Sequence, residues 1–498
     1  MSALVLLFLL LAGAVTAAIL PRYRPRFAPA AAVLLSGLSL LLWLAARAQL
    51  PLSPPLAWRI DESAWLVTAW LLLLLFALAL GEWPGAESGP PLMPFVFLLL
   101  ACTLPALWAG SVYSFTWGLA LLVIPWLAAV WSDAAPAPRR YLAYAVTLAA
   151  AVLLLFYAAA YAPLPDGWEV AGWPPPAIAA ALLAAAILSG VWPFSSWRLR
   201  LGQVPLPLNV VIFLSPAAAG GLLLSRIAAV QLNPAWQILF TVMALLGYLR
   251  GLRLTWARLH LPGSAVTAIL LAQAQLIVLA GLWAGTAAVL AFTQTFILVA
   301  GILALAAGQR ASRRHWWRAI PPALALAALA GLPLTAAFPG LSALYGAWLE
   351  RGRFLLPLVT GLLIAPMVTA VYLLFCPKTA PEAAGAGAKR AAAALLPAAA
   401  LITGRGVDWR IYPLAWAMIL LPPVIGLALT RRLPQVREAQ ALIRQAFTFG
   451  PALGRARSRA RGAFHAAGAA VNDAFTILET DGGLVWVFAL AFLFYLLS

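Results

Sequence analysis

Long apolar stretches alternate with short polar segments along the whole chain. A helix needs around 20 apolar residues to cross a hydrocarbon core about 30 Å thick. Stretches of that kind predict transmembrane helices at 2–20, 28–49, 63–80, 92–108, 112–131, 141–163, 176–194, 207–229, 234–249, 264–283, 286–307, 319–337, 354–376, 411–430 and 483–497, with a shorter one at 391–403. Because the stretches are continuous rather than alternating, the pattern predicts an all-α polytopic membrane protein of about 14–16 transmembrane helices.

Composition excludes a water-soluble globular protein. Of the 498 residues, 64% are hydrophobic and only 9% are charged, whereas an ordinary soluble domain carries about 25% charged residues. The net charge of +18 leaves two interpretations open at this point, a nucleic-acid partner or an orientation device in a membrane.

The positions of the charges decide between these two interpretations. Counted from an external N-terminus, the excess of Arg and Lys falls on alternate loops, while the other loops are nearly balanced. The first stretch has no basic residue before it and is followed by Arg22, Arg24 and Arg26, which favours a retained helix over a signal peptide. We therefore expect an integral membrane protein of a prokaryotic plasma (inner) membrane, with its N-terminus outside, a lipid bilayer around it and no nucleic-acid partner.

The predicted spans contain no Lys, Asp, Glu or His, and only Arg47 and Arg226 touch span ends. The polar side chains that remain there are neutral, and we consider them as the possible lining of a polar cavity: Asn209, Gln273, Gln275, Thr293, Gln294 and Thr295. The alternative is that they bond neighbouring helices. No spacing typical of a catalytic site, a phosphate loop or a metal site occurs, so we expect no catalytic residues, cofactor or metal.

Proline and glycine interrupt two of the predicted helices, the seventh at 192–197 and the twelfth at 331–340. Interrupted helices at matching positions of two halves are typical of inverted-repeat transporters. The alternative is that these prolines mark simple kinks or loop starts. The resulting division gives three N-terminal helices at 1–91, two inverted five-helix repeats at 92–230 and 231–376, further helices at 377–430, a basic segment at 431–482 and a last helix at 483–498.

Short motifs follow one another in a characteristic order around these interruptions. The chain has Pro193, Phe194, Trp197, Pro205, Pro207, Gly220 and Arg226, then Ala274-Gln275-Leu276, then Leu329-Ala330-Gly331-Leu332-Pro333, and Asp61 ahead of the third span. This set resembles the antiporter-like membrane subunits of respiratory complex I, of Mrp-type cation/proton antiporters and of membrane-bound hydrogenases. The resemblance covers about residues 55–376.

The chain departs from that family at the charged positions. The resemblance places the family's intramembrane Glu, Lys and His at Gly118, Leu188, Ser195, Phe296, Ala300 and Leu341, and a further Glu at Ser342. It therefore implies a degenerate antiporter-like subunit of a complex I-like assembly (NADH-quinone oxidoreductase or hydrogenase-type), with other membrane subunits as partners and a structural or coupling role. Alternatives are a water-mediated proton or cation channel subunit and an unrelated small-molecule carrier. The basic segment 431–482 is either a shortened lateral helix or a lipid-binding linker.

Overall fold

The computed structural model describes residues 2–51, 58–81, 92–132, 138–161, 168, 170–191, 194, 206–228, 233–259, 261–306, 317–375, 384–402, 415–426 and 428. Its helices are α1 (Ser2–Tyr23), α2 (Ala28–Ala45), α3 (Glu62–Gly81), α4 (Leu92–Leu107), α5 (Val112–Ser132), α6 (Pro138–Tyr161), α7 (Pro175–Ser189), α8 (Leu206–Ile227), α9 (Pro234–Ala257), α10 (Pro262–Trp283), α11 (Thr286–Ala306), α12 (Ile320–Leu329), α13 (Ala337–Glu350), α14 (Leu355–Phe375), α15 (Ala384–Leu401) and α16 (Ala415–Gly426). Within these residues the extended pairs are two isolated β-bridges, so the all-α prediction is confirmed. The basic segment 431–482 and the helix expected at 483–497 lie outside the described residues.

Eight of the described helices are long and apolar enough to cross a membrane: α1, α2, α3, α8, α9, α10, α11 and α14. The interior helices among them bury most of their surface against neighbours, whereas α1 and α2 turn large apolar side chains outward, with Phe8 and Leu34 each 71% exposed. An apolar exterior on this scale needs lipid or other subunits around it. The chain is an integral membrane protein, as expected.

Two successive groups of helices, α4–α8 and α9–α14, share part of one packing pattern. In the first group α4 packs on α5, α5 on α6, α6 on α7, and α8 returns against α4 and α7. In the second group α9 packs on α10, α10 on α11, α11 on α12, and α14 returns against α9 and α12. Both returning helices also carry an internal proline, Pro216 in α8 and Pro366 in α14. The first group has five helices and the second has six, and the two inverted five-helix repeats at 92–230 and 231–376 stay predictions.

The twelfth predicted span, 319–337, contains one short helix followed by a turn, and a further helix begins at its last residue. The helix α12 ends at Leu329, the backbone turns through Gly331 (φ 67°) and Leu334 (φ 68°), and α13 then begins at Ala337. The break is stabilised from outside, because the N–H of Ala336 donates to the carbonyl of Leu401 at the end of α15 (2.9 Å). Non-helical backbone needs such a partner inside a membrane protein. The sequence did not predict α13 as a helix because it is shorter than a span.

The helix α7 ends inside the bundle. Its last residue, Ser189, is followed by Gly190, whose positive φ of 79° closes the helix. The side-chain N–H of Gln275 on α10 donates to the Gly190 carbonyl (3.2 Å). Gly220, well inside α8, lies against Leu188 and Ser189. Pro193, Ser195, Trp197 and Pro205, which follow, lie outside the described residues.

The predicted end of the ninth span was wrong, and the error placed the buried Arg250 outside the helix. The span 234–249 is the helix α9, which runs to Ala257 because no proline or glycine-rich turn follows until Pro262. Arg250 therefore lies within the helix and is buried, next to Gly251, where α9 and α10 make close contact. Arg318, expected in an open loop, is also buried and lies over the ring of Trp317.

Candidate functional site

The candidate site is the set of positions at which the resembled family carries charge, and Gly118 on α5 is the most restrictive of them. A Cβ at Gly118 would lie 2.6 Å from Cα of Ala106 and 2.8 Å from the carbonyl carbon of Pro105. Both are backbone atoms of α4, so no rotamer change can make room. The helices α4 and α5 therefore meet backbone to backbone at the position where the family has Glu.

The described counterparts of the Lys and His positions lie among apolar side chains. Leu188 is 1% exposed, and its Cβ would lie 3.0 Å from a Cβ on Gly220 of α8. On α11, the ring of Phe296 contacts Phe213 with centroids 5.6 Å apart, and Ala300 is fully buried. These positions are part of the hydrophobic core.

The remaining lost position, Leu341, supports the break between α12 and α13. A Cβ on Gly331 would lie 2.5 Å from Cδ2 of Leu341, so the lack of a side chain at Gly331 leaves room for the leucine. Glycine also adopts the positive φ that the turn needs at this position. The neighbouring Ser342 donates its hydroxyl to the Pro339 carbonyl (3.0 Å) on its own helix. Leu341 therefore packs against the turn that separates α12 from α13.

The neutral polar side chains mostly bond to backbone carbonyls. Thr293 and Thr295 donate to carbonyls one turn earlier in α11, and Gln294 donates to the Ala400 carbonyl of α15 (3.1 Å). Gln275 donates to the carbonyls of Gly190 and Leu271. Hydrogen bonds of this kind connect helix ends to helix interiors. The side-chain donors in them are then not available to bind water in a conducting pathway.

The two remaining polar residues of the predicted lining lie on α8 and α10. Asn209 on α8 donates to the Thr267 hydroxyl (3.3 Å), which joins α8 to α10. Gln273 is buried, and its Nε2 has no hydrogen-bond partner among the described residues. That the six neutral residues line a cavity stays a prediction.

Two residues of the family pattern, Asp61 and Arg226, meet at one end of the bundle. Nη2 of Arg226 lies 3.4 Å from Oδ2 of Asp61, and Nη1 donates to the carbonyl of Ala109 (2.9 Å). The guanidinium carbon lies 4.1 Å above the ring of Trp168, whose indole N–H donates to the same carbonyl. Asp61 also accepts from the Ala64 N–H and so caps α3.

This cluster joins the start of α3, the α4–α5 turn, Trp168 in the connection between α6 and α7, and the end of α8. All four chain segments were predicted on one side of the membrane from charge alternation, so the contacts agree with the alternating course of the helices. The sequence did not predict that Trp168 and the Ala109 carbonyl belong to this cluster, because residues so far apart in the chain show no spacing pattern.

The other described motif residues lie at helix ends, in a turn or at a contact between helices. Phe194 is buried, Pro207 is the second residue of α8, and Gly220 allows α7 to approach α8. Gly331 and Pro333 lie in the turn between α12 and α13. The motifs therefore coincide with the two interrupted regions.

Solved structures share this arrangement of helices. A chain of the Mrp complex from Dietzia sp. DQ12-45-1b matches with a TM-score of 0.65 and 19% identity over 99% of this chain. A chain of respiratory complex I from Thermus thermophilus matches with a TM-score of 0.61 and 22% identity, covering 84% of this chain and 98% of that one. A chain of the membrane-bound sulfane sulfur reductase, an archaeal respiratory membrane complex, matches with a TM-score of 0.60 and 16% identity, covering 88% and 97%.

The chain has the fold of these membrane-complex subunits. The resemblance inferred from the motifs is confirmed at that level. The chain spans 62% of the length of the Mrp chain that it matches. No protein-family model matches the sequence, and no curated protein matches it.

Proposed function

We propose that this chain is a degenerate antiporter-like subunit of a multi-subunit membrane complex, with a structural or coupling role and no proton pathway of its own. Gly118 carries the proposal. A side chain there would collide with the backbone of α4, so the position has become a helix contact and cannot regain a carboxylate by substitution alone.

The other described positions support the same conclusion. A proton relay needs groups whose pKa lies near the working pH, and membrane proteins use Glu, Lys or His for this purpose. Leu188, Phe296, Ala300 and Leu341 offer no such group, and each is buried in the core. The buried polar groups next to them donate to backbone carbonyls that helix interruptions leave available.

The partners that we propose follow from the shared fold. The matched chains come from an Mrp complex, respiratory complex I and an archaeal respiratory membrane complex. We therefore infer a place in the membrane part of a complex I-like, hydrogenase-type or Mrp-type assembly, in a prokaryotic plasma membrane with the N-terminus outside. The apolar outer faces of α1 and α2 provide surface for neighbouring subunits.

Proteoliposomes test the absence of a proton pathway. The purified chain is reconstituted with a pH-sensitive dye inside, and a pH difference is imposed across the bilayer. We expect the dye response to equal that of empty liposomes, and liposomes with an added protonophore provide the positive control. Flux above the empty-liposome level that Gln275→Leu abolishes would instead favour a water-mediated channel.

Purification in a mild detergent tests the partners. We expect mass spectrometry of the tagged chain from its native membrane to identify subunits of the quinone-oxidoreductase, hydrogenase or Mrp type. Recovery of the chain alone, at a mass on native gels that fits one copy, would contradict the assembly part of the proposal.

A further inference from the structure

Two arginines lie against one tryptophan at the end of the bundle where α10 ends and α14 begins. The guanidinium carbon of Arg351 lies 5.2 Å from the ring centroid of Trp283, and that of Arg353 lies 4.7 Å from the same centroid. Trp283 is the last residue of α10 and is buried, whereas both arginines lie in the turn between α13 and α14 and are exposed. Two positive charges are therefore gathered on one small part of the surface.

Hydrogen bonds hold both the indole and the turn in place. The indole N–H donates to the hydroxyl of Thr241 on α9 (2.8 Å). In the turn, the backbone N–H of Arg353 donates to the carbonyl of Trp348 on α13 (2.8 Å), and Gly352 has a positive φ of 69°. The two arginines are thus presented beside the indole by a fixed backbone.

Neither arginine has a carboxylate partner in the described part of the chain, where the ion pair is that of Arg226 with Asp61. Glu350 directly precedes Arg351 and is exposed, but it pairs with neither guanidinium. On the predicted topology this turn lies outside, where the orientation bias does not favour basic residues. The arginine pair is therefore explained neither by an internal salt bridge nor by orientation of the chain.

Exposed apolar faces of two helices begin beside the arginines. Leu355, the first residue of α14, follows Arg353 by two positions and is 73% exposed. At the start of α9, the side-chain N–H of Gln237 donates to the carbonyl of Leu282, the neighbour of Trp283 (2.6 Å). The two helices pack against each other. The exposed apolar residues at helical spacing are Leu355, Leu358 and Leu362 on α14 and Ile238, Val242 and Leu249 on α9.

We propose that this surface binds an anionic phospholipid, with its phosphate held by Arg351 and Arg353 beside Trp283 and its acyl chains along the exposed faces of α9 and α14. We call Arg351, Arg353 and Trp283 the headgroup site. Guanidinium groups match the oxygens of a phosphate, and tryptophan favours the level of the lipid headgroups. The N-terminal end of α14 adds a partial positive charge.

The apolar faces favour a lipid over the other anions that two arginines could bind. A free phosphate or an acidic peptide in water would use the charges of the headgroup site but would leave Leu355 and Leu362 uncovered. A phospholipid carries its charge and its hydrocarbon in one molecule, in the order in which the surface presents the arginines and the apolar side chains. The surface is thus complementary to the whole lipid.

Photochemical cross-linking of lipids tests the proposal on the full chain without any substitution. The chain is purified in a mild detergent and placed in nanodiscs that contain a trace of phosphatidylglycerol or phosphatidylcholine with a diazirine in one acyl chain. Mass spectrometry then locates the labelled residues. We expect phosphatidylglycerol to label 238–249 and 355–362 about five-fold more than phosphatidylcholine, or better, because each basic residue near an anionic lipid strengthens binding by about that factor. Equal labelling by the two lipids would overturn the proposal.

The double variant Arg351→Gln/Arg353→Gln shows whether the headgroup site causes the preference. We expect the labelling ratio on α9 and α14 to fall close to one. The matched control is Arg24→Gln/Arg26→Gln, which removes two exposed arginines at the same spacing from the turn between α1 and α2. It should leave the ratio unchanged. A ratio that survives the loss of Arg351 and Arg353 would overturn the proposal.

Two further outcomes distinguish other occupants of this surface. Inorganic phosphate, added at constant ionic strength, should leave the labelling ratio unchanged, because the acyl chains also hold the lipid. A ratio that falls to one would show that the headgroup site takes free phosphate, and would overturn the assignment to a lipid. Absence of labelling on α9 and α14 by either lipid would show that a co-purified protein covers these faces, and would overturn it as well.

Discussion

The contact at Gly118 leads to a prediction whose sign is opposite to that of an ordinary glycine replacement. In a helix interior with free space, Gly→Ala stabilises by about 0.5–1 kcal/mol, because alanine loses less backbone entropy. At Gly118 the added methyl would lie 2.6 Å from Ala106 Cα, whereas two carbon atoms pack best at about 3.5–4.0 Å. The helices α4 and α5 must therefore separate by about 1 Å.

The size of the effect follows from these two opposing contributions. Overpacking of a well-filled core costs about 1–3 kcal/mol, and the upper part of that range applies because the atoms in the way are backbone. Gly346 on α13 is the matched control, since a Cβ there would meet nothing within 4 Å. Both variants gain the same helix propensity, so the difference between them isolates the overpacking cost.

Thermal unfolding in detergent, followed by tryptophan fluorescence, measures this difference. We expect Gly118→Ala to lower the Tm below that of the natural chain, and Gly346→Ala to leave it unchanged or raise it. Equal Tm values for the two variants would refute the claim that Gly118 is closed by the backbone of α4. The argument that the position cannot regain a carboxylate would then fail as well.

Four further predictions concern contacts that join distant parts of the chain, each measured as a Tm shift in the same assay. Arg226→Lys should cost about 1–3 kcal/mol, because lysine cannot hold a carboxylate and a carbonyl in one planar fork. Asp61→Asn should cost less, about 1 kcal/mol or under, because the Asp61 side chain is 43% exposed. Trp43→Phe and Trp65→Phe should each cost about 1–3 kcal/mol, and less than additively when combined, because each indole N–H donates to the other's carbonyl at 3.0 Å. Gln275→Leu should cost about 0.6 kcal/mol, the average for polar bonds between membrane helices, and should increase protease cleavage just after α7; unchanged cleavage would contradict the anchoring role.

Helix number and course could be predicted because both depend on local composition. A continuous apolar stretch can satisfy its backbone in lipid only as a helix, so α3, α10 and α11 agree with their predicted spans within two residues. Helix ends were less accurate where an apolar face continues past a charge. The helix α9 extends beyond Arg250 because the arginine is buried against neighbouring helices, and no local pattern contains that information.

The motifs assign Gly118, Leu188, Phe296, Ala300 and Leu341 as positions where the resembled family carries charge, and that assignment stays a prediction. The sequence did not predict the surroundings of these positions. Sequence could not show that Gly118 is closed by a neighbouring backbone, since that depends on how closely α4 and α5 approach. It also could not distinguish polar residues that bond to helix ends from polar residues that line a cavity.

The sequence by itself determined that the chain lies in a membrane and that its apolar stretches lack Glu, Asp, Lys and His, and it predicts which loops share a side. These properties follow from the free-energy cost of placing each charged residue in hydrocarbon, which depends on that residue alone. Only the tertiary structure decided which groups share a contact. It brought Asp61 to Arg226 across 165 positions and Trp168 to the Ala109 carbonyl across 59, because side-chain partners in a bundle are set by helix packing rather than by order along the chain.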